Sequence, residues 1–380
     1  MTVRIAVAQS ISNGAHTAIG ESDERIRAKL DRLWVRGRAV LGCNSAIMGG
    51  AMTWVSERNL VAAISNAGGF GVIASGAMSP EQLSAEIAAT RALTERPFGV
   101  NLITLHPRLF DLIGICVAHC VGHVVLAGGL PNGAAIDRIK GGGARVFCFA
   151  PALGFARKLV RMGADAIIIE GSEAGGHVGP VSTGVLAQEI LPHLTEVPVF
   201  VAGGIGRGEA MLAYLEMGAA GVQLGTRFVC AEESVAHPRF KQAFIRASAR
   251  DAVTSLQLDP RFPVIPVRAI ANSATERFLI VQREVIDRFT RGELSQKAAQ
   301  LEIEHFWAGA LRRAVIDGNL EAGSLMAGQS VGFVTREQST AEVLAELIDQ
   351  ALAALGARSE SSHRRSPLAR QASSGSQGQP

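Results

Sequence analysis

The chain has 380 residues, of which 48% are hydrophobic and 42 are glycine, enough apolar sequence for a large folded core. No apolar stretch approaches the roughly 20 residues needed to cross a bilayer, and no secretory signal precedes the core, so a cytoplasmic protein is expected. The formal net charge is +3, and the tail that begins at Arg358 accounts for all of it with four arginines and one glutamate. The rest of the chain is near neutral, so the net charge gives no reason to expect nucleic-acid binding.

Short apolar runs alternate with helical patterns through most of the chain. Residues 1–40 precede this pattern as an N-terminal extension, in which Glu24 to Val35 fits an amphipathic helix beneath the next domain. Eight strands are then predicted, near 46–48, 71–75, 98–103, 124–127, 145–149, 165–169, 199–202 and 221–224. Helical patterns such as 57–66, 80–91 and 152–162 lie between them. Residues 41–235 therefore predict an α/β fold, a closed (β/α)8 TIM barrel.

The alternation of predicted strands and helices ends after the eighth predicted strand. Residues 236–300 contain charged helical stretches and are interpreted as a small helical subdomain that closes over the barrel. Residues 301–357 return to the outer ring of the barrel. Residues 358–380 are dominated by Ser, Gly, Gln and Pro, a composition that predicts disorder.

The most informative loop follows the sixth predicted strand. The segment 170–179 reads EGSEAGGHVG and surrounds one imidazole, His177, with glycines. Glycine allows backbone conformations that bring the chain close to a ligand, and an imidazole titrates near neutral pH. His177 is therefore predicted to be catalytic. Glu173 is interpreted as either a partner of His177 or a solvated carboxylate.

Two further loops favour a phosphate-bearing ligand. The seventh predicted strand ends in the glycine-rich run 203–208, and the eighth ends in Gly225, Thr226 and Arg227, each ahead of a helical pattern. Strands that end on glycine before a helix leave unpaired N–H groups, which suit a phosphate. In (β/α)8 barrels such a site commonly follows strands seven and eight, beside the catalytic groups.

Two motifs are interpreted as structural. The segment 116–123 offers two cysteines and two histidines, but ligands mostly on one helical face cannot close a tetrahedron around zinc, so no metal is predicted. The run 69–74 fits G-x-G-x-x-A, yet it follows a helix and leads into a strand, the reverse of a dinucleotide fingerprint. The odd count of five cysteines fits reduced thiols.

Several ordered motifs resemble the nitronate monooxygenase (2-nitropropane dioxygenase) family of FMN-dependent barrels. They are EAGGHVG at 173–179, AGGI at 202–205 and QLGTRF at 223–228, with further likeness at 49–56, 65–71 and 97–101. The resemblance covers roughly residues 40–350. The FMN-dependent enoyl-ACP reductases are close relatives, and segments 308–311 and 323–329 look more like that branch. Many members carry proline and glutamine where this chain has Ala46 and Gly49, so the first loop departs from the pattern.

The resemblance implies an FMN across the C-terminal mouth of the barrel. Its phosphate would meet backbone N–H groups of Gly203, Gly204, Gly225 and Thr226, with Gln223 nearby. Residues expected at the flavin ring are Ala51, Met52, Thr53 and Asn101. The remaining residues expected to contact the cofactor are Glu170, Gly176, Ala202 and Leu224.

The first predicted function is a nitronate monooxygenase that oxidises alkyl nitronates with O2, in which His177 acts as a base or orients the substrate. The alternatives on the same FMN barrel are an NAD(P)H-dependent enoyl-ACP reductase and an NAD(P)H:quinone reductase. A phosphate-ligand-binding barrel without flavin is the non-enzymatic alternative. No nucleic acid or membrane partner is expected, and a homodimer is the assembly considered.

Overall fold

Eight parallel strands form a closed barrel in the computed structural model, which describes residues 23–371, with side chains as far as Arg358. The barrel strands are β1 (Ile47–Gly49), β2 (Val72–Ala74), β3 (Gly99–Ile103), β4 (His123–Ala127), β5 (Arg145–Phe149), β6 (Ala166–Glu170), β8 (Val199–Ala202) and β9 (Gly221–Leu224); β7 (Gly176–His177) lies outside the barrel. Their order around the barrel is β1-β9-β8-β6-β5-β4-β3-β2. A parallel bridge between Met48 and Phe70 closes the ring. The predicted (β/α)8 barrel is confirmed.

Helices surround the barrel and bury their apolar faces against the strands, whose residues are almost all buried. In chain order they are a first helical segment, α1 (23–33), then α2 (Val35–Leu41), α3 (Arg58–Asn66), α4 (Pro80–Leu93), α5 (Leu109–Ala118), α6 (Gly133–Gly141), α7 (Leu153–Arg161), α8 (Thr183–Ile190), α9 (Gly208–Glu216) and α10 (Thr226–Val229). Among residues 23–371, no helix is both long and apolar enough to span a membrane.

The floor of the barrel, at the N-terminal ends of the strands, is covered by α2. A Cβ atom placed on Gly37 would lie 2.0 Å from the Ala220 carbonyl oxygen, just before β9, so the helix backbone touches the barrel there. His123, the first residue of β4, hydrogen-bonds through Nε2 to the Val40 carbonyl at 2.8 Å. Trp34 is fully buried beside these contacts. Because α2 covers the N-terminal ends of the strands, the open mouth of the barrel lies at their C-terminal ends, where active sites of such barrels are found.

The segment after β9 differs from the helical subdomain expected there. Its helices are α11 (Pro238–Arg246), α12 (Ser273–Thr290), α13 (Gln296–His305) and α14 (Ala310–Val315), and its strands are β10 (Ala252–Thr254), β11 (Val267–Ile270) and β12 (Leu325–Met326). β11 pairs antiparallel with β10 on one edge, and with β12 and β7 on the other. We call these four strands the accessory sheet. Each has only two to four residues, too few for alternation to be recognised in the sequence.

The accessory region has a small core of its own. Phe262, Phe278 and Ile303 belong to an apolar cluster that is separate from the barrel core. Phe240 and Phe244 of α11, by contrast, are buried in the barrel core. The separate packing thus begins beyond α11 and continues through α13, later at both ends than the expected span of 236–300.

The last helix, α15 (Thr340–Gln371), packs against α9 and α3. Its buried residues Leu344, Leu347 and Leu355 recur at helical spacing and belong to the barrel core. The Gln350 side-chain oxygen accepts a hydrogen bond from Gly208 N–H at 2.7 Å, so α15 also caps the start of α9. Disorder was expected from residue 358, whereas the helix continues to Gln371 because a packed helix propagates into neighbouring residues. Residues 1–22 and 372–380 lie outside the described part.

Candidate active site at the barrel mouth

Unpaired backbone amides gather at the ends of β8 and β9. Ala202 on β8 is the register partner of Gln223 on β9, so the loops that follow these strands are neighbours. Gly203 and Gly204 have φ of 95° and 72°, a left-handed conformation that glycine adopts without strain. Within residues 23–371, the N–H groups of Gly203, Gly204, Gly225 and Thr226 donate no hydrogen bond. Such a set of donors matches a phosphate dianion.

A buried amide side chain points to a ligand at the same place. Gln223 is only 8% exposed, yet its side chain has no hydrogen-bond partner among the described residues. Its amide is not among the fully buried polar groups that lack a partner, so it is open at the mouth and free to bind a ligand there. Asn101 stands across the barrel on β3 and donates through Nδ2 to the Val125 carbonyl at 3.3 Å. Its side-chain oxygen, Oδ1, accepts no hydrogen bond from the described residues and is available to a ligand.

The loop after β1 is built by hydrogen bonds to one serine. Ser56 Oγ donates to the Gly50 carbonyl at 3.0 Å and accepts from Met52 N–H at 3.0 Å. This turn leaves Ala51, Met52 and Thr53 partly exposed at the mouth. A Cβ atom on Gly225 would lie 3.4 Å from Met52 Sδ, so this loop meets the predicted phosphate site.

The departure from the family at position 49 has a steric reason. A Cβ atom placed on Gly49 would lie 2.6 Å from Ile64 Cδ1, closer than real side chains approach one another. A glutamine therefore cannot stand there unless Ile64 moves. The neighbouring Gly50 faces the Gln223 side chain, with 3.5 Å between a Cβ atom placed on Gly50 and Gln223 Nε2. The Gln223 side chain thus places an amide group beside the loop after β1, where position 49 has none.

Glu173 has neither of the roles expected from the sequence. Its carboxylate accepts hydrogen bonds from Thr183 N–H at 2.8 Å and from Thr183 Oγ1 at 2.9 Å. The negative charge therefore stands at the N-terminus of α8, where the helix dipole stabilises it. Its backbone carbonyl also accepts from Gln329 N–H at 2.9 Å. Glu173 fixes the shape of the loop that carries His177.

His177 lies on β7, within the accessory sheet. Val267 of β11 is its register partner, and the adjacent Val178 N–H donates to the Pro266 carbonyl at 3.0 Å. The imidazole is exposed and has no hydrogen-bond partner among residues 23–371. Desolvation by the surrounding protein lowers the pKa of His177 below 6.5, so the ring is neutral at pH 7. A neutral, accessible imidazole can accept a proton from a ligand.

A second titratable group stands at the end of β6. Glu170 is the register partner of Ala202, which places it directly beside the β8 loop. Burial raises the pKa of Glu170 to about 8, although the residue keeps some exposure at the mouth. The carboxyl group is therefore protonated at pH 7 and can donate a hydrogen bond. The other two residues expected at the cofactor, Ala202 and Leu224, are buried, at 2% and 3% exposure.

Two residues of the site were missed in the sequence. Arg268 of β11 donates through Nε to the Ser172 carbonyl at 2.8 Å and through Nη1 to the Ala252 carbonyl at 2.6 Å. Met326 of β12 borders the loop as well, because a Cβ atom on Gly176 would lie 3.6 Å from its Sδ. The only signal for Arg268 was an arginine inside the apolar run 267–270.

The cysteine and histidine segment at 116–123 has structural contacts. His119 hydrogen-bonds to Ser84 Oγ at 2.7 Å, while His123 contacts the carbonyl of Val40. Burial raises the pKa of Cys116 to about 12, so its thiol stays protonated. The two histidines therefore have different partners. The G-x-G-x-x-A run at 69–74 also has a structural role. Gly68, which precedes it, has φ of 91° just after the end of α3, the conformation of a glycine that ends a helix, and the chain then enters β2.

Most of the chain is similar to proteins of one enzyme family. A family model described as nitronate monooxygenase matches residues 38–122 and 113–350. Among curated relatives, (3aS,4S,5R,7aS)-5-hydroxy-7a-methyl-1-oxo-octahydro-1H-indene-4-carboxyl-CoA dehydrogenase of Mycobacterium tuberculosis is 31% identical, over 82% of this chain and 94% of that protein.

Two solved structures extend the likeness to the fold. FabK from Thermotoga maritima has a TM-score of 0.75 and 34% identity, covering 83% of this chain and 95% of its own. The nitroalkane oxidase from Streptomyces ansochromogenes has a TM-score of 0.69 and 26% identity, covering 83% and 98%. Each match covers 83% of this chain, more than residues 41–235 amount to, so the likeness extends beyond the eight-stranded part.

Proposed function

Because the chain belongs to the nitronate monooxygenase family, whose members are flavin oxidoreductases, we propose that it is an FMN-dependent dehydrogenase of an acyl thioester. The observations that carry the proposal are four unpaired amides after β8 and β9 and a neutral, accessible histidine on the loop after the neighbouring strand β6. The amides suit a single phosphate, and the imidazole suits removal of a proton from carbon. The thioester is proposed from the 31%-identical relative, whose name specifies a CoA thioester.

The residues present fit FMN. Gly203, Gly204, Gly225 and Thr226 would hold the phosphate, and the unpaired Gln223 amide would gain a partner in the cofactor. Glu170, protonated at pH 7, would donate a hydrogen bond to it. The residues proposed at the ring are Ala51, Met52, Thr53, Asn101 and Gly176. When bound, the flavin supplies the capacity to accept a hydride.

His177 would perform the proton transfer. An acyl thioester loses a proton from Cα and a hydride from Cβ as its Cα–Cβ single bond becomes a double bond. The lowered pKa of His177 keeps a ring nitrogen free to take the Cα proton at pH 7. The Glu173 carboxylate would act only on the loop, by holding Thr183 and so the turn before His177. The reaction also needs a terminal oxidant for the two electrons removed, for which O2 or a quinone is proposed.

Nitronate oxidation is the second candidate. The family model carries that description, and the nitroalkane oxidase structure matches 83% of this chain. The same imidazole could take the α-proton of a nitroalkane, because the nitro group acidifies that carbon as the thioester carbonyl does. O2 would be the co-substrate in that reaction.

One anaerobic experiment separates the two candidates. The purified protein is loaded with FMN, reduced with dithionite and mixed with trans-2-decenoyl-CoA, so that the proposed reaction runs in reverse. Recovery of the oxidised flavin spectrum supports the thioester dehydrogenase. No recovery with the thioester, together with oxygen uptake on ethyl nitronate, would replace it by the second candidate. A protein that fails to bind FMN at all contradicts both.

A further inference from the structure

A cavity of about 370 Å³ opens in the accessory region. Its walls come from the β10–β11 hairpin, from α12 and from the segments before α14 and β12. They are predominantly apolar, and include Val253, Leu256, Val267, Ala269, Phe278, Leu279 and Trp307. The volume lies within the range of about 300–1,000 Å³ that is usual for small-molecule sites.

The register of the accessory sheet places this cavity beside His177. Residues that face each other across an antiparallel pair project on the same side of the sheet, with Cβ atoms about 5 Å apart. His177 faces Val267, and Met326 faces Ala269. Val267 and Ala269 also line the cavity. The imidazole thus lies on the same face of the sheet as Val267 and Ala269 of the cavity wall, and α12 forms another wall of the cavity.

The apolar surface at the opening is not needed for packing. Val253 and Leu256 line the cavity yet are 41% and 60% exposed, whereas Phe278 at its base is 1% exposed. A small nitronate would contact His177 without entering this space. An apolar group attached to the reacting carbon would enter it, and would cover the exposed side chains.

We infer that the cavity binds the apolar body of the substrate, a medium-length acyl chain or a carbocycle, next to the carbon that reacts at His177. This inference rests on the proposed thioester function. Burial of apolar substrate carbons in the cavity would favour long or bulky acyl groups over short ones, by about tenfold or more in rate constant.

Two neighbouring residues of α12 provide a matched test. Leu279 lines the cavity, whereas Ile280 is outside it and 51% exposed. Reoxidation of the dithionite-reduced enzyme is followed with trans-2-decenoyl-CoA and with crotonyl-CoA. Leu279→Trp should lower the second-order rate constant at least about tenfold for the decenoyl thioester, and change that for the crotonyl thioester by no more than about twofold. Ile280→Trp should leave both unchanged. Val253→Phe, at an exposed position on the opposite wall, repeats the test if Leu279→Trp does not fold.

Fluorescence of cis-parinaric acid gives a readout that does not depend on turnover. The FMN-loaded wild type and Ile280→Trp should bind this probe equally, and Leu279→Trp at least about tenfold more weakly. If neither thioester reacts but binding keeps this pattern, the proposed function fails and the cavity assignment stands. If both thioesters react equally fast and Leu279→Trp alters neither reaction nor probe binding, the cavity assignment is overturned.

Discussion

The roles of some residues in the site can be predicted from a sequence motif, whereas the roles of others are visible only from their contacts in the folded protein. Glycines followed by a helix predicted the unpaired amides at Gly203 and Gly225, because a missing side chain and an open helix start are sequence properties. The role of Glu173 could not be predicted in the same way. Its partner, Thr183, is visible only once the loop is folded.

Replacing His177 tests the proposed proton transfer. His177→Asn removes the base but keeps a polar side chain, so the thioester reaction should slow about 10²–10⁴-fold while FMN is retained. The wild-type rate should also decline at acid pH, when the imidazole becomes protonated, and at a lower pH than an ordinary imidazole would require, because desolvation lowers the pKa of His177. The exposed His193, at the far end of α8, serves as control, and His193→Asn should match wild type. Equal rates for His177→Asn and His193→Asn would show that His177 takes no part in the proton transfer.

A charge placed at Gly225 tests the phosphate site. Gly225→Asp would bring a carboxylate to the place of a dianion, and should weaken FMN binding at least about 100-fold, or about 3 kcal/mol. Gly225→Asn has nearly the same size without the charge and should bind more tightly than Gly225→Asp. Flavin absorbance after gel filtration and titration with added FMN give the measurement. Equal affinities for the two variants would place the phosphate elsewhere.

The buried carboxyl of Glu170 predicts a pH-dependent stability. Its folded pKa of about 8 exceeds the ordinary 4.5, so its contribution is fully present below pH 4.5 and is lost as the pH rises through 8. Glu170→Gln abolishes that loss, and the variant should gain about 4 kcal/mol relative to wild type between pH 5 and pH 8.5. Urea unfolding of the flavin-free protein measures it. Glu196→Gln, at an exposed glutamate, should show no such gain.

At the scale of elements, the barrel strands were predictable and the accessory strands were not. A run such as Ala166–Ile169 is apolar throughout because both faces of a parallel strand are buried. β7 and β12 have two residues each and are defined by their pairing with β11, distant in sequence. A pattern of two residues has no period. The link between the histidine loop and the inserted segment was therefore invisible in the sequence.

Arg268 should hold that link together. It connects the barrel loop at Ser172 with β10 at Ala252 through two hydrogen bonds. Arg268→Met keeps the aliphatic stem and removes both bonds, at a cost of about 1–3 kcal/mol in local stability. Amide exchange of residues 172–178 should accelerate correspondingly, and thioester turnover should fall. Arg277→Met, at an exposed position on α12, is the matched control. Unchanged exchange in the Arg268 variant would contradict the coupling.

At the scale of the molecule, the closed barrel could be predicted from eight repeats of strand and helix in the sequence. The course of α15 could not, because it depends on packing against the folded barrel. The polar composition after residue 358 predicts disorder, whereas a helix already anchored at Leu347 and Leu355 can continue into such a sequence. Helix ends are set by such competition and are the least predictable boundaries.

Two truncations test how the end of the chain contributes. Removal of residues 359–380 leaves Leu344, Leu347 and Leu355 in place, so the melting temperature and FMN content should remain those of wild type. Removal of residues 340–380 exposes the α9 surface and the Gly208 N–H, and should abolish folding. Calorimetry and far-ultraviolet circular dichroism measure both. A stable, FMN-binding protein without α15 would contradict this account of the barrel core.

The pairing of β7 with β11 has a consequence for how such enzymes diversify. The proposed phosphate donors all precede residue 230, whereas the cavity walls come from 253–324. The residues proposed for the cofactor and those proposed for the substrate thus lie in consecutive stretches of the chain, whose contacts include the β7–β11 pair and the hydrogen bond from Arg268 to the Ser172 carbonyl. Transplanting residues 252–326 from a homologue would import its substrate preference and leave the cofactor loops untouched, as long as Val267 still faces His177. Under the proposed function, exchange of this stretch alone would change the substrate that the barrel accepts.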